Sequence, residues 1–233
     1  MQNDLFLGVD IGSVTIKTAL LDTSATILFE SCTRMKGDPA AALSEELARL
    51  ASHFPEQRIC AAGITGSGGK QVAAVIGARF INEILAQSSF AGRFHPAART
   101  IIEMGGEDAK LINLQPDAAN GGVIIEDFSM NTACAAGTGS FLDQQAARLH
   151  MTIEEFSRIA LRSERPPRVA GRCSVFAKSD MIHLQQIATP DYDIVAGLCY
   201  AMARNFKATV GKGKKFHPPL LFLGGVAANA GMH

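Results

Sequence analysis

The sequence predicts an α/β protein built from two halves that begin in the same way. Apolar segments rich in β-branched residues, such as 5–10 and 99–104, predict buried strands, and each leads through a glycine-containing turn into a second strand. Apolar residues at helical spacing follow both sets of strands. Because two similar hairpins recur in one chain, we expect an internal duplication. The boundary is predicted after His95-Pro96, which gives domains of residues 1–97 and 98–233.

Composition narrows the class of function. The 22 lysines and arginines balance the 22 aspartates and glutamates, which argues against a nucleic-acid binder that works through a broad basic field. No apolar run approaches the roughly 18 residues that span a membrane, and the N-terminus lacks the basic region of a signal peptide. We therefore expect a cytoplasmic protein with no membrane contact. In that reducing compartment, its five cysteines favour metal or redox chemistry over disulfides.

The first half carries a candidate phosphate and magnesium site in its first hairpin. Asp10 ends the first strand, and Ile11-Gly12-Ser13 forms the turn before strand 14–22. Turn N–H groups and the Ser13 hydroxyl suit phosphate oxygens, while a carboxylate suits a hydrated cation. The alternative is an ordinary hairpin with a turn aspartate. The later elements are predicted as a strand at 26–33, a helix with Asp38 as its cap and Pro39 as its first residue, a strand at 58–65, and helices at 70–76 and 82–94.

A second glycine-rich hairpin opens the other half, within Glu103-Met-Gly-Gly-Glu-Asp-Ala-Lys110. Its glycines and carboxylates again occupy a strand-to-strand turn, which favours a second phosphate clamp. The alternative is that Glu107, Asp108 and Lys110 form a solvated turn. The remaining elements are predicted as strands at 109–114, 123–128 and 220–223, and helices at 153–161, 174–186 and 191–210. Gly66-Ser-Gly-Gly69 in the first half is equally consistent with ligand contact and with the entry to a helix.

The stretch Asn131–Asp143 places Cys134 beside the small-residue turn Gly137-Thr138-Gly139, which leads into an amphipathic helix. Glycines at a helix start let N–H groups approach an anion, so a phosphate site is predicted near a thiol. Near the C-terminus, Gly224-Gly225-Val226 follows a strand and opens a predicted helix with Asn229. Glycines at such a position let a flat ligand such as adenine lie against the backbone.

Cys173 precedes a predicted helix just as Cys134 does, and helix starts favour negative charge on the thiolate that binds metals. Iron–sulfur clusters commonly take four thiolates, and the chain has no compact Cys-x-x-Cys motif. Two cysteines from each chain of a twofold dimer would supply four. The alternative is that both are plain cysteines. Cys32, Cys60 and Cys199 lie in strand or helix patterns and are interpreted as core or surface thiols.

Five motifs in a fixed order closely resemble the activator ATPases of 2-hydroxyacyl-CoA dehydratases and the ATPase subunits of benzoyl-CoA reductase, within the acetate kinase, sugar kinase, heat-shock chaperone and actin superfamily. The motifs are Gly8-Val-Asp-Ile-Gly-Ser13, Glu103-Met-Gly-Gly-Glu-Asp108, Cys134-Ala-Ala-Gly-Thr-Gly139, Cys173-Ser-Val-Phe-Ala-Lys-Ser-Asp180 and Leu223-Gly-Gly-Val226. The match covers nearly the whole chain. The two cysteine motifs separate this group from the sugar kinases.

The resemblance implies two ribonuclease H-like domains with ATP in the cleft. It implies a homodimer bridged by one [4Fe–4S] cluster on Cys134 and Cys173 of each subunit. Ferredoxin or flavodoxin would reduce the cluster, and the electron would pass to an iron–sulfur dehydratase or reductase as ATP is hydrolysed to ADP.

The same resemblance assigns roles to individual residues. Catalytic roles with magnesium or water are implied for Asp10, Glu103 and Glu107. The implied phosphate and nucleotide residues are Gly12, Ser13, Lys17, Gly105, Gly106, Asp108, Gly137, Thr138, Gly139, Gly224, Gly225, Val226 and Asn229.

The sequence departs from the family at three places. Glu103 and Glu107 stand where the family often has aspartate and glutamine, which puts the hydrolysis rate in question. The family usually continues beyond the position of His233, so we expect a piece of a longer activase.

The competing functions are a small-molecule kinase of the same superfamily and a nucleotide-dependent binding module. The sequence shows no recognisable sugar-binding insertion and no convincing base to deprotonate a substrate hydroxyl, which argues against the kinase.

Overall fold

The computed structural model describes residues 4–35, 37–55, 58–119, 121–131 and 137–233. The chain divides into two compact units, residues 4–87 and 88–233. This division falls within a helix, ten residues before the boundary expected from His95-Pro96, and the domain limits 1–97 and 98–233 stay a prediction. None of the described helices is long and apolar enough to cross a membrane.

The first unit is a mixed sheet with its first two helices packed on one face. The sheet order is β3-β2-β1-β4-β5, with β1 antiparallel to β2 and parallel to β4. The core side chains come mainly from alternate positions of the first two strands and from these two helices. The elements are β1 (Leu5–Ile11), β2 (Thr15–Leu21), β3 (Ile27–Arg34), α1 (Pro39–His53), β4 (Ile59–Thr65), α2 (Gly69–Ile76), β5 (Arg79–Phe80) and α3 (Glu83–Phe94), which continues into the second unit.

Helix α1 begins where its sequence signal predicts. The Asp38 carboxylate accepts hydrogen bonds from the N–H groups of Ala40 and Ala41, both at 3.0 Å, and Pro39 occupies the first turn, where no N–H is needed. Leu43 and Leu50 are buried on the face that meets the sheet. The cap and the apolar face together fix the start and the orientation of this helix.

The second unit has a four-stranded sheet and a helical layer. Its sheet order is β8-β7-β6-β9, with β6 antiparallel to β7 and parallel to β9. One core joins the sheet to the helices around the fully buried Phe141 and Phe156. The elements are β6 (Thr100–Met104), β7 (Ala109–Pro116), β8 (Val123–Asn131), α4 (Gly139–Arg148), α5 (Ile153–Ala160), α6 (Ser174–Gln186), α7 (Asp191–Ala208) and β9 (Leu220–Leu223).

Two short 3₁₀ turns, Gly225–Ala228 and Ala230–Met232, follow β9 where the sequence analysis expects a helix. The Asn229 side chain caps the second turn by accepting from the Gly231 N–H at 2.9 Å. This side-chain bond competes with a continuous helical ladder, as is usual for asparagine. The backbone is therefore irregular at this glycine-rich segment.

The two units repeat one strand pattern. In each, a hairpin is closed by a glycine N–H that donates to the carbonyl oxygen three residues later, from Gly12 to Thr15 and from Gly105 to Asp108. In each, the first hairpin strand also pairs in parallel with the strand that enters a glycine of positive φ, Gly66 or Gly224. The internal duplication predicted from the sequence thus appears as equivalent registers in the two sheets.

Candidate functional site

The first hairpin presents a carboxylate and an amine at the end of its strands. Asp10 and Lys17 are opposite each other in the β1–β2 register, and Lys17 Nζ lies 2.8 Å from Asp10 Oδ2. Both side chains remain partly accessible, at 34% for Asp10 and 44% for Lys17. The turn places Gly12 and the exposed Ser13 beside them. Lys17 is therefore ion-paired to the carboxylate that the sequence singles out.

Thr65 is a polar neighbour of Asp10 that the sequence analysis does not single out. It lies opposite Asp10 in the parallel β1–β4 pair, and its hydroxyl oxygen is buried without a hydrogen-bond partner. The equivalent position in the second unit, opposite Glu103, is Leu223. A buried hydroxyl without a partner costs about 1–3 kcal/mol, so its presence at this edge calls for a ligand or water. The sequence signal was only a threonine at a strand end.

Gly66 holds the adjoining loop tightly against β1. Its φ is +93°, and a Cβ there would overlap the Ile11 carbonyl oxygen and come within 2.6 Å of Asp10 Oδ1. The Gly68 N–H also donates to the Ile11 carbonyl oxygen at 3.0 Å. The glycine-rich loop before α2 thus packs on the end of β1 where Asp10 lies, a close approach that no side chain at position 66 would allow.

In the second hairpin, a buried lysine joins two carboxylates. Lys110 is 2% exposed, and its Nζ lies 2.9 Å from Glu103 Oε2 and 2.7 Å from Asp108 Oδ2. Glu103 and Lys110 are register partners, as Asp10 and Lys17 are in the first unit. The alternative of a fully solvated turn is therefore wrong for Lys110, although Glu107 is exposed. Burial of one cation between two anions fixes the side chains at this turn.

The start of α4 is bonded directly to that turn. The N–H groups of Gly139 and Ser140 donate to the carbonyl oxygens of Gly105 and Gly106 at 2.7 and 2.9 Å, and Ser140 Oγ donates to Gly106 at 2.6 Å. These two N–H groups are consequently engaged with protein carbonyls in this arrangement. The anion site predicted at Gly137–Gly139 stays a prediction, and other donors at the turn would have to form it.

The segment after β9 closes around the same hairpin. Gly224 has a φ of +89°, and a Cβ there would overlap the Met104 carbonyl oxygen and lie 2.9 Å from Glu103 Oε1. Val226 is buried, and its Cγ2 would lie 3.5 Å from a Cβ at Gly139. Asn229 is 6% exposed, and its Nδ2 has no hydrogen-bond partner. The structure therefore brings the second hairpin, the start of α4 and the Gly224 segment together, with an uncommitted amide donor nearby in sequence.

Cys173 precedes the first residue of α6 and opens into a groove of about 510 Å³. Asn205 lines the same groove, and its Nδ2 would lie 3.0 Å from a Cβ at Gly137, which follows Cys134 by three residues. Cys134 itself lies outside the described residues. The structure thus relates Cys173 to the end of the Cys134 segment through one buried asparagine.

The other cysteines lie apart from this groove. Cys32 and Cys60 are exposed on strands of the first unit, as core-or-surface thiols were expected to be. Burial raises the pKa of the Cys199 thiol to about 12, which keeps it protonated and unreactive. Cys173 is therefore the described cysteine that stands at a helix start and lines an open groove, a position that favours the thiolate form that binds metals.

The sequence predicts two bound groups, a nucleotide with its cation and an iron–sulfur cluster. The described side chains fit these two groups to different extents. A partly accessible carboxylate, glycine turns of positive φ and buried polar atoms without partners suit a hydrated cation and phosphates. A half-buried thiol in an open groove suits an iron–sulfur centre. Within residues 4–35, 37–55, 58–119, 121–131 and 137–233, no group of three or more histidine, cysteine or acidic side chains could hold a metal ion. Cys173 would accordingly need cysteines from outside this set.

Comparison with known proteins gives the family. Residues 7–233 match the model of the BadF/BadG/BcrA/BcrD ATPase family. The chain is 31% identical over 229 residues to the 2-hydroxyisocaproyl-CoA dehydratase activator of Clostridioides difficile, covering 97% of this chain and 82% of that protein.

Two solved structures agree with this match. The (R)-2-hydroxyglutaryl-CoA dehydratase component A of Acidaminococcus fermentans has a TM-score of 0.85 at 27% identity, covering 98% of this chain and 86% of that one. The Clostridium difficile activator with bound ADPNP has a TM-score of 0.82 at 28% identity, covering 98% and 82%. The predicted α/β fold of the actin-like ATPase activators is confirmed, and so is the predicted ATPase class. The chain belongs to the BadF/BadG/BcrA/BcrD ATPase family.

Proposed function

We propose that this ATPase is an electron-transfer activator, which couples ATP binding and hydrolysis to the delivery of one low-potential electron. In the proposal it works as a homodimer that holds one [4Fe–4S] cluster on Cys134 and Cys173 of each subunit. Ferredoxin or flavodoxin supplies the electron, and an iron–sulfur dehydratase or reductase accepts it. The relatives named as dehydratase activators support the activator role.

The observation that carries the proposal is the position of Cys173. Its thiol precedes α6 in an open groove, and Asn205 in that groove also lies against Gly137, close in sequence to Cys134. Cys32 and Cys60 lie within strands and Cys199 is buried within a helix, whereas Cys173 stands at a helix start beside the groove. The pair of thiols from each of two chains would meet the four-thiolate requirement of a cubane cluster.

Nucleotide binding is assigned to the glycine turns and the polar groups around them. Asp10 would hold a hydrated Mg²⁺, and Lys17 holds the Asp10 carboxylate in place from the opposite strand. In the second hairpin, Lys110 holds Glu103 and Asp108, so the backbone of Gly105 and Gly106 keeps one conformation beside the phosphates. The Asn229 Nδ2, buried without a partner, is a donor for the adenosine side. The ADPNP bound by the Clostridium difficile activator supports a nucleotide site in this fold.

The bound nucleotide supplies the phosphoanhydride bond whose hydrolysis drives the cycle. The chain's own residues link that site to the cysteines. Gly139 and Ser140 bond the start of α4 to the second hairpin, and the segment that contains Cys134 immediately precedes Gly137. A change in the hairpin turn would therefore act on the cysteine segment through two backbone hydrogen bonds. Such a coupling biases a two-state protein by differential binding.

Anaerobic purification followed by iron and sulfide analysis tests the proposal. We expect about four iron and four sulfide per dimer, as one cubane on four thiolates requires. Cys173→Ser should abolish the cluster and its absorption while ATP binding remains, whereas Asp10→Asn should impair ATP hydrolysis and leave the iron content unchanged. A protein that hydrolyses ATP but holds no cluster after anaerobic reconstitution would contradict the proposal. Such a result would favour a kinase or a binding module.

A further inference from the structure

The groove beside Cys173 has arginines along its walls. Arg168, Arg172 and Arg204 all line it and are all exposed at the surface. A second, shallower groove of about 320 Å³ adjoins it, since Arg168 and Arg204 line both. The full set of side chains that line the second groove is Pro166, Pro167, Arg168, Tyr200 and Arg204. Together the two grooves form a basic surface, hereafter the arginine groove.

The described part of the chain places no carboxylate on the walls of the arginine groove. Among the described residues, neither groove is lined by a carboxylate, and neither Arg168 nor Arg172 has an ion pair. Arg204 donates to the Val169 carbonyl oxygen at 3.0 Å, which is a neutral acceptor. The nearby Asp180 carboxylate instead accepts from the Ala170 N–H at 2.8 Å. In a chain of zero net charge, this local excess of cations is a specific feature of one face.

The arginines stand on a fixed platform. Val169 is 2% exposed, and a Cβ at Gly171 would overlap the Ala201 carbonyl oxygen of α7. A Cβ at Gly197 of α7 would lie 2.5 Å from the Pro167 carbonyl oxygen, so the segment 167–171 packs directly on that helix. All of these contacts lie within the second unit. The segment that carries Arg168 is therefore held on α7 within a single chain.

The surface has the composition of a protein-docking site. Phe176 is 65% exposed and Tyr200 is 58% exposed, each lining one of the grooves. Arginine and aromatic residues are the types enriched at protein interfaces. A site for a small anion would instead be concave and would enclose most of its ligand. An open basic surface with exposed aromatic rings favours an acidic protein face over a free phosphate compound.

We propose that the arginine groove docks the acidic face of a one-electron donor protein beside Cys173. This inference rests on the proposed function, in which Cys173 holds the electron-accepting centre. The donor is oxidised by one electron and that centre is reduced by one, with no covalent bond made or broken. A donor acts on the resting protein, so its docking site must be preformed, and the packing of segment 167–171 on α7 holds Arg168 in place within each chain. The enzyme that takes the electron acts after the nucleotide-driven change and has no such requirement.

Charge-neutralising variants test the surface. Arg168→Gln with Arg172→Gln removes two cations from the groove, and Arg58→Gln with Arg79→Gln removes two exposed cations from the first unit as a matched control. The probe is a reduced ferredoxin of net negative charge, mixed anaerobically with each protein while the cluster absorption is followed. We expect the groove variant to accept electrons about tenfold more slowly at low salt, with a weaker salt dependence, and the control to match the wild type.

Two further measurements distinguish failure of the docking proposal from failure of the proposed function. Photoreduced deazaflavin, a small reductant, should reduce every variant at the same rate, and absence of reducible iron in all of them would overturn the proposed function instead. Calorimetric titration with oxidised ferredoxin measures docking without any cluster. Equal affinity and equal reduction rates in the groove variant would overturn the docking site. It would also be overturned if inorganic phosphate displaced the ferredoxin at constant ionic strength, or if only delivery to the dehydratase were slowed.

Discussion

Glu46 is a carboxylate inside the apolar face of α1, and it is 4% exposed. It accepts hydrogen bonds from Ser31 and Thr33, both at 2.5 Å, and from Arg49 at 2.7 Å. Burial opposes its ionisation, but these hydrogen bonds and the charge of Arg49 outweigh burial and lower the pKa of Glu46 from its usual 4.5. The network attaches α1 to β3 through polar contacts, which an apolar periodicity does not reveal.

Glu46→Gln should therefore destabilise the protein by about 1–3 kcal/mol, because a charged acceptor is replaced and its donors lose bonds. Urea denaturation at pH 7 measures the change, and the exposed neighbour Glu45→Gln is the control. Since the folded pKa is lowered, the carboxylate's contribution is present above its unfolded pKa and is lost as the pH falls through the folded pKa. The free energies of unfolding of Glu46→Gln and Glu45→Gln should thus become equal in strong acid. A Glu46→Gln protein as stable as the control at pH 7 would contradict this account.

Thr65 offers a second prediction at a single side chain. Thr65→Val keeps the shape but removes a buried hydroxyl that has no partner in the fold, so the melting temperature should hold or rise. If the hydroxyl serves the hydrated cation beside Asp10, ATP hydrolysis should fall by about tenfold or more, the lower end of what a positioned group supplies. Thr65→Ser should restore activity. A purely structural hydroxyl would give the opposite pattern, with lost stability and unchanged hydrolysis.

At the scale of elements, the two hairpins differ mainly in the burial of their lysines. Lys17 is 44% exposed and Lys110 is 2% exposed, although each pairs with the carboxylate opposite it. The first hairpin therefore presents a carboxylate that can meet solvent and ions. The second presents backbone glycines that are held by an internal charge network. One duplicated register thus gives two hairpins that differ in the exposure of their charged groups.

Lys110→Met should destabilise the second unit by about 3–5 kcal/mol, because Glu103 and Asp108 would face each other without their buried cation. The control is Lys214→Met, which breaks the more exposed pair with Asp127 on β8 and should cost at most about 1 kcal/mol. Chemical denaturation at neutral pH compares the two. Equal losses would show that burial of the lysine adds nothing to the hairpin.

The sequence predicts elements well where local chemistry decides. The helix predicted at 153–161 is observed as α5, whose start is fixed by a capping box between Thr152 and Glu155 with hydrogen bonds of 2.9 and 3.1 Å. The sequence prediction fails after Gly224, where two 3₁₀ turns replace the expected helix and the Asn229 side chain caps the second of them. Strand β5, only two residues long, carries no periodicity to detect.

At the scale of the whole molecule, the site could be predicted where one motif contains it and not where distant segments meet. The pairing of Glu103 with Lys110 follows from hairpin register, so their spacing in the sequence is enough to predict it. The meeting of Asn205 with Gly137, and of Thr65 with Asp10, depends on packing between segments more than 50 residues apart. No periodicity encodes such contacts, and the arginine groove was missed for the same reason.

Coupling between nucleotide and cysteines is the property that belongs to the whole molecule. If the hairpin acts on the Cys134 segment through Gly139 and Ser140, nucleotide should change the accessibility of the cluster held in the proposed dimer. The rate at which a coloured iron chelator extracts iron should then differ by about threefold or more between MgATP and no nucleotide, a difference of about 0.6 kcal/mol in the activation free energy of extraction.

Asp10→Asn should remove this nucleotide effect while leaving the extraction rate without nucleotide unchanged, because Asp10 lies in the first unit and away from Cys173 in the sequence. Ser140→Ala, which deletes the 2.6 Å side-chain bond to Gly106, should weaken the effect without abolishing it, since the two backbone bonds remain. Identical extraction rates with and without MgATP in the wild-type protein would show that the two sites are energetically independent, whatever each of them binds.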